Sequence, residues 1–200
     1  MAGRKPEFDR VQALESATQV FWKKGYVGAS MADLTKAMGI NKPSLYSSFG
    51  NKEKLFVLSL EQYLDIYAKD RLRFLLEEGV PLRQRLHRFL LATVKGQSGE
   101  GTPRGCYLAF GLSEAAGEAL PPAAIEALKA ADAEAVGQLT DLFRFDEESQ
   151  AVGLDQRAGD YALYLITLLH GTASVLRSGR DLKEIEACLD FALDGLGLEA

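Results

Sequence analysis

The chain has 200 residues, of which 47% are hydrophobic and 26% charged, and its formal net charge is −5. These proportions are typical of a globular protein of one or two domains, and they exclude a disordered or fibrous chain. Two cysteines are too few for a disulfide framework or a four-cysteine zinc site. The N-terminus has no apolar run and predicts no secretory signal, so we expect a cytoplasmic protein without a membrane-spanning segment.

The charge is distributed unevenly along the chain. Residues 1–55 contain nine basic and five acidic side chains, whereas the remaining residues contain 14 basic and 23 acidic ones. A basic N-terminal part on an acidic remainder directs the N-terminal part toward a polyanion. Arg4 and Lys5 either extend this part as a basic arm or are simply solvated, as short charged ends usually are.

The first predicted helix covers about residues 8–24 and ends at Gly25. Its apolar residues recur at helical spacing and predict a single buried face. This face comprises Val11, Leu14, Ala17, Val20 and Phe21.

A second, short helix is predicted to begin after Ser30. Ser30 is a favoured N-cap residue, and Asp33 three positions later completes a capping box. The following apolar residues lie on one helical face, and they are Met31, Leu34 and Met38. Gly39 ends this helix, because glycine takes the left-handed conformation of a helix C-terminus without steric cost.

A third helix follows at once and is predicted to expose a small, polar surface. Asn41 caps it, and Pro43 lies in its first turn, where a missing N–H does no harm. Leu45 and Phe49 lie four residues apart and are expected to face the core. The outward residues are Lys42, Ser44, Tyr46, Ser47 and Ser48. A short basic helix of this kind fits the major groove of DNA, so the pattern predicts a helix-turn-helix.

At these positions the chain resembles the DNA-binding domain of TetR-type bacterial transcription regulators. The matching residues are Phe21, Lys24, Gly25, Tyr26, Ser30, Met31, Ala32, Asp33, Leu34, Gly39, Ile40, Leu45, Tyr46, Phe49 and residues 52–56. The resemblance implies an all-α protein, with a three-helix DNA-binding domain at residues 1–51 and a six-helix ligand-sensing and dimerisation domain at residues 52–200. It implies a homodimeric repressor that a small effector releases from a palindromic, double-stranded DNA operator.

The resemblance also assigns DNA contacts. Tyr46 and Lys52 stand where the family contacts DNA, although both also fit ordinary surface roles. The N-terminal part of a recognition helix enters the groove most deeply, which favours base contacts by the residues there. These residues are Lys42, Pro43, Ser44 and Ser47.

Three further residues are expected near the DNA backbone. Ser30 and Asn41 begin helices and can offer side-chain and N–H donors to phosphates. Thr35 stands where the family commonly has alanine. Its hydroxyl group either widens the contact between the helices or reaches a phosphate, and the sequence leaves both open.

Helical patterns continue to the end of the chain, and no alternating run predicts a strand. Asn51 is expected to cap a long helix that extends to about residue 67. Further helices are predicted at about residues 82–94, 105–116, 121–145, 155–177 and 181–196. Loops are predicted at residues 96–103 and at the acidic stretch 146–150.

The last two helices are predicted to form a dimer interface. Residues 161–176 are apolar on nearly all sides, and such a helix must be covered on both sides. The last helix carries an apolar stripe of Leu182, Ile185, Leu189, Ala192 and Leu196. We expect the two helices to form half of a four-helix interface between two copies of the chain.

Five residues are candidates for effector sensing. The stretch around Cys106 resembles one in a subset of TetR regulators, in some of which a cysteine here responds to electrophiles, oxidants or metals. The alternative, which we favour, is a small side chain packed in the core. Tyr107, Phe110 and Tyr164 either line an organic-ligand pocket or pack as core aromatics. His170 is a hydrogen-bonded core histidine or, with Cys106 and further ligands, part of a metal site.

Other functions find less support. The chain has no Ser/His/Asp ordering and no phosphate-binding glycine loop, so we predict no catalytic residue, no metal and no cofactor. The main alternative is an architectural or protein-recruiting DNA-binding protein on the same scaffold without an inducer. A second alternative is a small-molecule binder or enzyme whose helix-turn-helix has lost its operator.

Overall fold

A computed structural model describes residues 8–99, 101–117 and 119–198, so Arg4 and Lys5 lie outside the described residues. Within these ranges the chain is helical and has no strand, which confirms the all-α prediction. The helices are α1 (Arg10–Gly28), α2 (Met31–Met38), α3 (Lys42–Phe49), α4 (Lys52–Tyr63), α5 (Leu82–Gly96), α6 (Tyr107–Ala115), α7 (Pro122–Phe145), α8 (Glu147–Ala151), α9 (Ala158–Arg177) and α10 (Leu182–Asp194).

The short helix α8 lies where a loop was predicted. The side chain of Asp146 accepts hydrogen bonds from the backbone N–H groups of Glu148 and Ser149 and so caps one helical turn. The described part of the chain after residue 51 therefore contains seven α-helices rather than six.

The face that α1 buries differs partly from the predicted one. Ala17 and Phe21 are fully buried, but Val11 is 70% exposed. Helical spacing gives the direction of a side chain, but it does not say whether another element covers that side at the helix end. The chain leaves helical geometry at Gly25, where φ is 73°, as the sequence predicted.

The long helix predicted to extend to residue 67 changes its geometry on the way. It is α-helical only to Tyr63 and continues as a π-helical turn (Leu64–Ala68) and a 3₁₀ segment (Lys69–Leu76). Side-chain spacing differs among these three helix types, so an α-helical wheel misplaces the residues after Tyr63.

The buried residues form two hydrophobic clusters. One contains residues of α5, α7, α9, α10 and the 3₁₀ segment. The other joins the helix-turn-helix to α4, α6 and the first half of α7, and it includes Phe21, Phe56, Tyr107 and Leu128. Helices α6 and α7 therefore share a core with the N-terminal helices.

The apolar stripe predicted for the dimer interface instead packs largely inside its own subunit. Ile185, Leu189, Ala192 and Leu196 are each at most 5% exposed and face the rest of the chain, so that part of the prediction is wrong. Helix α10 needs this stripe to attach to α5 and α9. The exposed apolar residues of the last two helices, termed the outer face below, are Leu163, Tyr164, Val175 and Phe191. No helix of the described residues is long and apolar enough to span a bilayer.

Candidate DNA-binding surface and effector cavity

The turn before α2 is built by the predicted capping box. Ser30 Oγ accepts a hydrogen bond from the Asp33 N–H at 3.1 Å, and Asp33 Oδ2 accepts one from the Ser30 N–H at 3.1 Å. A 2.6 Å ion pair with Lys24, together with the bonds from Ser30, holds the pKa of Asp33 below its usual range. The Ser30 hydroxyl is therefore already engaged within its own helix.

Helix α3 presents the predicted outward surface. Asn41 Oδ1 caps it by accepting from the Ser44 N–H at 2.9 Å. Leu45 and Phe49 are 0% and 3% exposed and attach the helix to the core. The residues on the opposite side are exposed, and they are Lys42, Pro43, Tyr46 and Ser47. Ser44 is half-buried behind them.

The two remaining predicted contacts have partners within the protein. The ammonium nitrogen of Lys52 lies 4.4 Å from the centre of the Tyr26 ring. Burial lowers the pKa of Lys52, and Glu114 acts in the opposite direction. Thr35 Oγ1 donates to the carbonyl of Met31 at 2.9 Å, so its hydroxyl serves its own helix.

One basic residue beside α3 was missed from the predicted site. Arg10 is exposed at the start of α1, where its guanidinium carbon lies 5.0 Å from the centre of the Phe49 ring. Its Nη2 is 3.4 Å from the carbonyl oxygen of Ser48. The sequence shows Arg10 only as one of several basic residues, because its position beside α3 depends on packing between α1 and α3.

Polar contacts join the end of α1 to helices α6 and α9, and this contact region is termed the junction below. The carboxylate of Glu114 accepts hydrogen bonds from the backbone N–H groups of Tyr26 and Val27 at 2.8 and 3.2 Å. Arg177 donates to the carbonyls of Trp22 and Lys23 at 3.0 and 2.7 Å. The backbone N–H and C=O groups at the end of α1 that have no partner within the helix are thus hydrogen-bonded to side chains of α6 and α9.

The C-terminal helices enclose a cavity of about 430 Å³ next to this junction. Its wall is formed by α4, the π turn, the 3₁₀ segment, α5, α6, α7 and α9. Cys106 and His170, two of the five candidate sensing residues, line it. Helix α6 begins immediately after Cys106 and ends at Ala115, next to Glu114. It therefore connects the cavity wall directly to the junction.

The other three candidate sensing residues are not among the lining residues. Tyr107 is fully buried, with its hydroxyl 3.4 Å from the carbonyl oxygen of Phe56. Phe110 packs under Arg177, whose guanidinium carbon is 3.6 Å from the ring centre. Tyr164 is 42% exposed on the outer face. These three residues were chosen because they are aromatic and lie in predicted helices. The sequence does not show which side of α6 or α9 faces the cavity.

Several polar groups face the cavity. The Tyr63 hydroxyl donates to Cys106 Sγ at 3.4 Å, and burial raises the pKa of Tyr63 well above its ordinary value. His170 Nε2 lies 3.6 Å from Asp132 Oδ1. Burial lowers the pKa of His170, and Asp132 partly offsets this effect. Among residues 8–99, 101–117 and 119–198, no three His, Cys, Asp or Glu side chains are grouped as a metal site requires.

Comparison with known proteins identifies the family. Residues 13–57 match the model of the bacterial regulatory proteins of the tetR family. The whole fold is similar to that of a cysteine-substituted form of CifR, a TetR family transcriptional regulator, in complex with 26-bp double-stranded operator DNA. The two chains are 31% identical with a TM-score of 0.82, and the match covers 96% of this chain and 98% of CifR. The chain belongs to the TetR family.

Curated relatives match about half of the chain. The transcriptional repressor ComR of Escherichia coli strain K12 is 37% identical over 106 residues, which cover 53% of this chain and 50% of ComR. The repressor BdcR of the same strain is 34% identical over 110 residues, which cover 55% of each chain. The chain thus spans about half the length of the curated relatives it matches.

Proposed function

We propose that this TetR-family chain is a sequence-specific DNA-binding repressor, acting as a homodimer that a small effector releases from a palindromic operator. The exposed face of α3 carries the proposal. Leu45 and Phe49 hold the helix to the core while Lys42 and Ser47 stay accessible, which is the arrangement a recognition helix requires. The similar protein CifR forms a complex with operator DNA, which supports DNA binding by this chain.

A homodimer is supported by the outer face of α9 and α10. Phe191 is 75% exposed and Leu163 is 57% exposed, although both are large apolar side chains. Clustered exposed apolar residues are typical of protein interfaces. Two-fold pairing through this face would present two α3 helices to two half-sites, which is why we propose a palindromic operator.

Release by a small effector is supported by the cavity and the junction. A ligand shifts an equilibrium only through its different affinities for the two states. Because α6 extends from the cavity wall to Glu114, a ligand that displaces α6 also acts on the end of α1. An architectural protein without an inducer needs no such cavity, so the cavity favours a regulator.

The proposal is tested by selecting binding sites from random duplexes with the full-length protein. Lys42→Ala and Lys52→Ala should each weaken binding and reduce the slope of log K against log[salt] by about one unit. Ser47→Glu should abolish binding, because it places a negative charge against the phosphates. Lys129→Ala removes an exposed lysine on α7, far along the chain from α3, and serves as the matched control.

Circular dichroism should show an unchanged fold for all four variants, since each side chain is exposed or half-buried. Operator affinities of Lys42→Ala and Ser47→Glu equal to that of the parent would contradict the assignment of α3 as the recognition helix. Selection of no consensus sequence would contradict sequence-specific binding itself.

A further inference from the structure

The cavity wall contains one guanidinium group without a carboxylate partner among the described residues. Arg71 belongs to the 3₁₀ segment, is half-buried and lines the cavity. Its neighbour Arg73 has an ion pair with Asp70 at 2.6 Å, and Lys69 at the cavity rim is paired with Asp65. A partly buried cation without a partner is unfavourable, so a bound anion would be stabilised there.

The backbone of α5 makes room for this guanidinium. Gly96 is the last residue of α5, and a Cβ atom at this position would overlap Nη2 of Arg71. Glycine is unfavourable in a helix compared with alanine. The guanidinium of Arg71 thus lies directly against the backbone of Gly96, and a methyl group at this position would force it to shift.

A second polar group lies directly next to this position. Gln97 lines the cavity and is only 2% exposed. Its Oε1 is buried without a hydrogen-bond partner among the described residues. An unpaired buried acceptor is costly, and only a donor can satisfy Oε1, so a ligand that supplies the missing interaction carries an O–H or N–H group at this point.

The rest of the wall is mostly apolar, and the three carboxylates among the lining residues, Glu61, Asp65 and Glu134, belong to exposed residues. The apolar lining residues are Leu64, Ala68, Leu72, Phe89, Leu108, Ala131, Ala135, Ile166 and Leu169. A single guanidinium balances one negative charge, so a dianionic phosphate would leave an unpaired charge in this apolar surrounding. The volume of about 430 Å³ lies near the lower end of ligand sites.

We propose that the effector is a small organic acid with one carboxylate group, one hydroxyl group and a compact apolar body. This inference rests on the proposed function, because it names the ligand of the regulatory cavity. The carboxylate accepts hydrogen bonds from the guanidinium of Arg71, and the hydroxyl group donates to Oε1 of Gln97. The apolar body lies against the wall between Phe89 and Ile166.

Calorimetric titration of the full-length protein without DNA tests the proposal. The probes are 2-hydroxyhexanoate, 2-hydroxyoctanoate and mandelate, and each is compared with its uncharged amide of the same shape. We expect at least one acid to bind and to bind about tenfold or more tightly than its amide, since charge-assisted hydrogen bonds are about twice as strong as neutral ones. Absence of binding by all three acids in the millimolar range would overturn the proposal, and so would equal binding of acid and amide.

Variants distinguish ligand binding by Arg71 from a purely structural role of this residue. Arg71→Met should remove the preference for the acid, whereas Arg73→Met, in the same segment but outside the cavity lining, should keep it. Gly96→Ala should weaken acid binding without changing the charge of the chain, because the methyl group displaces the guanidinium. If Arg71→Met does not fold, Arg71→Gln decides in its place: an unchanged preference for the acid in Arg71→Gln would overturn the proposal.

The same protein is then tested on its selected operator. Operator binding without any acid binding would leave the proposed function intact and reject only the organic acid. Acid binding that fails to weaken a sequence-specific protein–operator complex would reject the acid as the effector. Binding of acids by a protein that selects no operator would contradict the proposed function while the carboxylate site stands.

Discussion

His170 shows how burial sets the charge of a single side chain in the cavity. Burial lowers the pKa of His170, and Asp132 at 3.6 Å opposes this effect without reversing it. The other charged residues that line the cavity are Glu61, Asp65, Lys69, Arg71 and Glu134. Below the pKa of an unfolded histidine, the unfolded chain therefore binds more protons at this position than the folded chain does. The stability of the fold therefore rises as the pH increases from the lowered pKa of folded His170 to the pKa of an unfolded histidine. This stability is lost as the pH falls through the same range.

The first prediction follows from this sign. The free energy of unfolding in urea should be lower at about pH 5.5 than at about pH 7.5, and His170→Gln should reduce this difference. His87→Gln is the control, because the His87 side chain is 41% exposed and lies near Asp190 at the surface. A difference between the two pH values that is the same in the parent and in His170→Gln would show that other groups cause it.

At the scale of secondary-structure elements, the contact between α6 and α1 links the cavity to the DNA-binding helices. Glu114 is placed on α6 so that its carboxylate meets the backbone N–H groups just after Gly25. A side chain at Gly25 would overlap this carboxylate, so the glycine serves both the left-handed turn and the contact with Glu114. A shift of α6 must break these bonds or move the end of α1.

We therefore predict that Glu114→Ala uncouples effector from operator. It should lower the free energy of unfolding by about 1–3 kcal/mol, because the N–H groups lose a charged acceptor. It should also reduce the change in operator affinity on effector binding. Glu126→Ala, an exposed change on α7, should alter neither quantity. An unchanged effector response in Glu114→Ala, measured by fluorescence anisotropy with labelled operator, would show that coupling follows another route.

The sequence predicted local features well because short-range contacts determine them. The caps at Ser30 and Asn41 depend on residues only three positions away, and the structure has both. The π turn after Tyr63 and the inward stripe on α10 could not be predicted in this way. Both depend on residues far apart in sequence, and so does the meeting of Arg71 with Gly96.

At the scale of the whole molecule, the two sides of α10 differ in what they contact. Leu189 is fully buried in the core of its own subunit, whereas Phe191 is 75% exposed on the outer face. Leu189 holds the helix to the rest of the chain, and Phe191 is available for a second subunit. Substitutions at the two residues therefore test folding and the proposed dimerisation separately.

We predict that Phe191→Glu yields a folded monomer, since an unpaired charge buried in an interface costs several kcal/mol. Leu189→Glu should unfold the chain instead. Sedimentation and circular dichroism together distinguish the two results, and Glu186→Gln on the same helix provides a control. A Phe191→Glu protein that remains dimeric would place the interface elsewhere. Operator affinity should fall together with dimerisation, because a monomer reads only one half-site.

Trp22 is the only tryptophan in the chain, and it lies fully buried at the junction. Its indole N–H donates to the carbonyl oxygen of Gly105 at 3.0 Å, and its ring centre lies 4.8 Å from that of Tyr63 and 5.1 Å from that of Tyr67. The intrinsic tryptophan emission of the protein thus comes from one site, between the cavity and the DNA-binding helices. Any rearrangement that exposes this indole to water or moves the two tyrosines changes the wavelength or the intensity of that emission. The unlabelled protein thus contains its own fluorescent probe of the junction, through which ligand binding would affect the DNA-binding helices.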